Sequence, residues 1–121
     1  MKTFAKSTRH AIRGIRYAFL HERNFQIEFF LALFAILLAF VFPLTPAERA
    51  AIFLVIGLVL SCELFNTATE RIMDMLKPGI HPYVKMVKDL AAGAVLITSL
   101  LALFIGISVF LPHIMNFFEE I

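Results

Sequence analysis

The chain has 121 residues, 60% of them hydrophobic, with fourteen Phe and no Trp, and a mean hydropathy of +0.86, too apolar for an ordinary soluble domain of this size. A net charge of +2 argues against a nucleic-acid partner, and a single cysteine, Cys62, leaves neither an internal disulfide nor a Cys/His zinc cluster. The expected class is an all-α membrane protein forming one membrane-embedded domain over residues 1–121.

Residues 1–22 form the first expected element. Placed at 100° per residue from Phe4, the apolar Ala11, Ile12, Ile15, Ala18 and Phe19 fall within about −40° to +80°, while Lys2, Lys6, Arg9, Arg13 and Arg16 fall within about 120° to 200°. This is an amphipathic helix with a basic face, suited to an anionic membrane surface. It lacks the continuous apolar run and small-residue cleavage site of a secretory signal, so it is expected to stay in the mature protein.

Three apolar stretches follow, at 25–44, 47–65 and 90–111, each long enough to cross a hydrocarbon core that needs about 20 helical residues. The first two are joined by "PLTPAER", in which Thr45 is positioned to cap a helix that starts at Pro46. The second and third are joined by "KPGIHPYVKMVKD", where Pro78, Gly79 and Pro82 interrupt the helix. Gly57, Gly93 and Gly106, with Ala102 four residues before Gly106, read as close helix packing. Six Lys and Arg lie within residues 1–24, one at Arg49, four at Arg71, Lys77, Lys85 and Lys88, and none beyond. By the positive-inside rule the amino terminus and second loop are cytoplasmic, and the carboxyl terminus lies outside.

Charges at membrane depth cost about 2.5–3.5 kcal/mol each on insertion scales, so they need a reason. In "CELFNTATERIMD" at the end of the second stretch, helical geometry puts Glu63, Asn66, Thr67, Glu70 and Asp74 on one stripe about 100° wide. Glu63 and Glu70 are two turns apart, roughly 10 Å along the axis, so one sits near the lipid interface and the other a step closer to water. A carboxylate at headgroup depth suits a general base for a lipid hydroxyl, and one nearer water suits Mg²⁺ held against phosphates. Glu22 and Glu28 lie at a similar depth ahead of the first span. The competing reading is structural: these groups cap, pair with Arg71 or Arg23, or knit helices together. Lys85 and Lys88, with Asp89 and His81 close by, suit phosphates or simply anchor a span in the interface. No G-x-x-x-x-G-K-[ST] or G-x-G-x-x-G is present, so any ATP is held by side chains at the membrane surface.

"GIRYAFLHERNFQIE", "CELFNTATERIMD" and "HPYVKMVKDLAAGAVLI" together resemble the small bacterial integral-membrane lipid kinases, comprising diacylglycerol kinase and undecaprenol kinase, over nearly the whole chain in order. The resemblance implies a homotrimer of three-span subunits in the bacterial cell membrane. It would share active sites between subunits and transfer phosphate from ATP, with Mg²⁺, to a lipid alcohol. It implies Glu63 as base and Glu22 and Glu70 as metal ligands. ATP contacts would come from these two with His10, Gly79, Ile80, His81, Lys88 and Asp89, and lipid-side or supporting roles from Arg16, Glu28, Asn66, Asp74 and Ala92. Ala92 stands where diacylglycerol-specific members carry Ser, and "KDLAAGAVL" is more like the undecaprenol branch. Two other classes compete. A small proton-coupled multidrug exporter would normally have four spans and a mid-bilayer Glu in the first, whereas a non-catalytic membrane subunit leaves the carboxylate stripe unexplained.

Overall fold

A computed structural model describes residues 2–76 and 82–121. Four helices account for nearly all of them: α1 (Lys2–His21), α2 (Arg23–Val41), α3 (Pro46–Met75) and α4 (Pro82–Glu119). Three of these, α2, α3 and α4, are long and apolar enough to cross a membrane. The all-helical class with three spanning-capable helices is therefore as expected. α3 is the centre of the bundle, packing most extensively on α4, then on α2, while α1 touches α2 and α3 only lightly.

The chain breaks for one residue between α1 and α2. Glu22 adopts extended backbone (φ −113°, ψ 110°) and precedes α2 without capping it through its side chain, which leaves that carboxylate free for other partners. The end of α1 is closed instead from the next helix, because Gln26 Nε2 donates to the Phe19 carbonyl at 2.8 Å, satisfying one of the carbonyls that a helix terminus leaves unpaired. Ala18 and Phe25 are buried in this corner, and the Phe19 and Phe29 rings meet edge to face at 5.2 Å. The rest of α1 is exposed on every side within the chain, including Phe4 and Ile12.

The α2–α3 turn follows the sequence reading. Thr45 Oγ1 accepts from the Glu48 amide at 3.1 Å, and Glu48 Oε1 accepts from the Thr45 amide at 3.0 Å, with Pro46 at the helix start. This is a reciprocal capping box. Arg49 Nε donates to the Ala39 carbonyl at 3.2 Å, which ties the end of α2 to the start of α3. The best-packed apolar cluster sits at this end, built from Ala39, Leu44, Ile52, Val109 and Phe110.

Helix limits differ from the hydropathic limits in physically sensible ways. α2 stops at Val41 because Pro43 cannot continue its hydrogen-bond ladder. α3 runs on past Phe65 to Met75, and α4 begins at Pro82, ahead of the apolar run. At 30 and 38 residues these helices are about 45 Å and 57 Å long, against a hydrocarbon core of about 30 Å, so each projects beyond it. The glycine reading is corrected: an added Cβ at Gly57, Gly93 or Gly106 would meet no heavy atom within 4 Å. Within the chain these glycines face open space.

Candidate catalytic site

α3 changes character along one face. Ile52, Ile56 and Val59 fall within about 40° of Glu63 on the helical wheel, so the stripe facing α2 and α4 is apolar for two turns and then becomes Glu63, Asn66, Thr67 and Glu70. Glu63 is 3% exposed, Asn66 7% and Thr67 6%. They are the buried polar side chains among the described residues. Such burial is costly without partners, and satisfaction here is incomplete. Asn66, one turn from Glu63, reaches Glu70 Oε1 at 3.5 Å through Nδ2, but Asn66 Oδ1 and Thr67 Oγ1 are buried without a partner.

The helix break brings Glu22 to this stripe. Its carboxylate, 17% exposed, is paired with the Arg71 guanidinium, which also lies over the Tyr17 ring at 5.8 Å. Tyr17 in turn stacks on His21. Glu22, Glu63 and Glu70 are near enough that each of the outer two acts electrostatically on Glu63. Glu28, one turn and a half along α2, acts on Glu63 as well, and its Oε2 is buried without a partner. α4 completes the face: Lys88 Nζ donates to Asp74 Oδ1 at 2.7 Å, one turn from Glu70.

Glu63, Asn66, Glu70, Glu22, Glu28, Asp74 and Lys88 are thus gathered around one end of α3. Others stand apart within the chain. Asp89 is exposed and pairs with Lys85 at 3.0 Å. Ala92 and Arg16 are exposed, and His10 is exposed on α1 two turns before Tyr17. Gly79, Ile80 and His81 lie outside the described residues. Two contributors escaped the sequence reading of function. Arg71 entered it only as a neutralising partner, and Tyr17, which the apolar-face pattern of α1 does not distinguish, did not enter at all.

The donor chemistry fits Mg²⁺. Among the described residues no group of three His, Cys, Asp or Glu forms a cage, but this ion is commonly held by one or two carboxylates together with substrate phosphates. Glu22 and Glu70 would be the carboxylates for such an ion, and Glu22 is paired with Arg71.

The family model for prokaryotic diacylglycerol kinase matches residues 9–110. Undecaprenol kinase of Bacillus subtilis is 40% identical over 114 residues, covering 94% of this chain and 93% of that protein. Diacylglycerol kinase of Synechocystis is 36% identical over 91% of this chain and 63% of its own length, and diacylglycerol kinase of Haemophilus influenzae is 32% identical over 75% of this chain and 77% of its own.

Proposed function

The chain belongs to the prokaryotic diacylglycerol kinase family and is a membrane lipid kinase, and from that premise we propose that its acceptor is undecaprenol, phosphorylated by ATP at the cytoplasmic membrane interface. The observation that carries the site is Glu63, buried one turn from Asn66 at the point where the apolar face of α3 turns acidic. Undecaprenol is favoured over diacylglycerol because the relative aligned over 94% of the chain is an undecaprenol kinase. Ala92, where diacylglycerol-specific members carry Ser, points the same way. The exporter alternative finds no support, since three helices rather than four are fit to span a membrane among the described residues and the family is one of kinases.

Glu63 takes the proton of the lipid hydroxyl as that oxygen's electron pair forms a bond to the γ-phosphorus. The bond from γ-phosphorus to its bridging oxygen breaks, and ADP leaves with that electron pair. Asn66 orients the Glu63 carboxylate. Glu22 and Glu70 would hold Mg²⁺, which supplies charge neutralisation on the phosphates when bound. As nucleotide enters, Arg71 gives up Glu22 and Lys88 turns from Asp74, so both cations become available to phosphate oxygens. The amino terminus is taken as cytoplasmic from the Lys and Arg distribution, with the exposed apolar and basic α1 on the inner membrane surface. Association into a homotrimer would let Asp89 of one copy meet the site of another. His10 and the 79–81 segment would serve the nucleotide.

The test is transfer of labelled γ-phosphate in membranes offered undecaprenol and diacylglycerol in parallel, with and without Mg²⁺. The expected result is Mg²⁺-dependent labelling, with kcat/KM for undecaprenol at least tenfold higher. Faster labelling of diacylglycerol overturns the acceptor assignment.

A further inference from the structure

Tyr17 is an aromatic residue off the apolar face of α1. Counted at 100° per residue from Phe4 it falls at about 220°, beside the arc of Lys and Arg, so the face that meets lipid does not explain it. Its place in the fold does. The ring, 43% exposed, sits near the end of α1, just ahead of the break at Glu22. It stacks on His21 with centroids 4.5 Å and planes 23° apart, and His21 Nδ1 donates to the Tyr17 carbonyl at 3.0 Å. The same ring carries the Arg71 guanidinium, 5.8 Å from its centroid, within the range of a cation–π contact. Two carboxylates also attract Arg71. Glu22, on the α1 side, is paired with it. Asp74, three residues on along α3 and about 60° round the helix, is held instead by Lys88 at 2.7 Å.

We propose that Tyr17 is a positioning residue for the transfer reaction: it retains the Arg71 guanidinium beside Glu22 after that carboxylate has passed to Mg²⁺, so that the charge meets nucleotide phosphate rather than Asp74. The proposal rests on the lipid kinase reading above, in which metal takes Glu22 and nucleotide draws Lys88 from Asp74. Those two exchanges leave Arg71, half exposed on a rotamer-rich stem, next to an Asp74 that has just lost its partner. A guanidinium that swings to Asp74 is lost to the phosphates. Another carboxylate on the Glu22 side would hold it back, but would also compete for the metal and repel the nucleotide. The Tyr17 ring does neither, because its π face attracts a cation without bearing net charge. The ring rather than the phenolic hydroxyl performs this role, and Tyr17 acts through Arg71. The competing role, an interfacial aromatic that anchors α1 in the membrane, has no dependence on Arg71.

The experiment is a double-mutant cycle on the KM for ATP, measured in membranes carrying the full chain as wild type, Tyr17→Leu, Arg71→Ala and the pair, with undecaprenol as acceptor. An exposed cation–π contact corresponds to about two- to fivefold in an equilibrium, so Tyr17→Leu is expected to raise the KM for ATP by that factor without raising the KM for undecaprenol. In the Arg71→Ala background the same substitution is expected to change it by less than about 1.5-fold, since the partner through which Tyr17 acts is gone. Tyr17→Gln removes the ring without adding apolar surface and is expected to repeat the leucine result; both replacements are good helix formers at a half-exposed position. Tyr17→Phe keeps the ring and is expected to restore the wild-type KM. An unchanged KM for ATP in the two ring-free variants, a rise that persists in full with Arg71→Ala, or a Tyr17→Phe variant as impaired as Tyr17→Leu each overturns the proposal and leaves the kinase assignment intact. Wild-type membranes that label neither undecaprenol nor diacylglycerol overturn the reading on which it rests.

Discussion

Replacing Glu63 by Gln isolates the proposed base from every structural role the same residue could have. The substitution keeps the side chain's length and volume and still carries an oxygen acceptor. What it removes is the negative charge and the ability to take a proton. A positioned general base contributes about 10²–10⁴ in rate, equivalent to about 2.7–5.5 kcal/mol in the barrier at 1.36 kcal/mol per decade. A fall of that size in kcat for phosphate transfer to undecaprenol is expected. Stability should move the other way. Glu63 is 3% exposed, has no cationic partner among the described residues, and lies within electrostatic reach of Glu22, Glu70 and Glu28. Neutralising it relieves burial of a charge and repulsion from its neighbours, so the thermal unfolding midpoint of the purified protein should be unchanged or higher. The two readouts separate the readings: a residue that merely knits helices would lose stability before activity. A kcat within threefold of wild type, or a lowered midpoint accompanying the loss of activity, refutes the assignment.

Arg71→Ala releases Glu22 from its exposed ion pair, a contact worth at most about 1 kcal/mol. Half-saturating Mg²⁺ in the transfer assay should fall by up to about fivefold, and an unchanged value shows that Arg71 does not compete with the metal. Lys88→Ala removes the cation that α4 brings to the stripe. The KM for ATP should rise and kcat fall, by at least tenfold in kcat/KM, whereas a pure membrane anchor would alter neither. Thr45→Ala breaks the capping box at the opposite end of α3 and should cost about 1 kcal/mol of stability in a denaturant titration with kcat preserved. Phe25→Ala empties the buried α1–α2 corner and should cost about 3–5 kcal/mol, read as a large drop in the unfolding midpoint.

Much of this organisation could be read along the chain. Apolar stretches of spanning length, the Pro-rich connections and the Thr45–Pro46–Glu48 start signal are local features, and helices are local structures, so periodicity was enough to place Glu63, Asn66, Thr67 and Glu70 on one face. Burial and partnership follow a different rule. The apolar 47–65 stretch ends ten residues before its helix does, because hydropathy reports the membrane while α3 is held by its packing on α2 and α4. The glycine motifs read as close packing face open space, since that motif marks a possible approach and the neighbouring side chains decide whether it occurs. Arg71 with Glu22 joins residues 49 apart in sequence, and neither residue's local pattern distinguishes that pairing from one with any other charge at the same interface.

What the sequence determined by itself is therefore the set of helices, their membrane-spanning capacity and the acidic stripe on α3, all consequences of backbone hydrogen bonding and solvent preference within a few turns. Only the tertiary structure decided that a one-residue break at Glu22 turns its carboxylate toward that stripe, that Lys88 rather than Asp89 pairs with it from α4, and that small residues on α2 and α4 border an apolar groove that Glu28 also lines. Those features depend on how three helices rotate and settle against one another. That is fixed by the shapes of side chains far apart in sequence, and no single helix's pattern contains it.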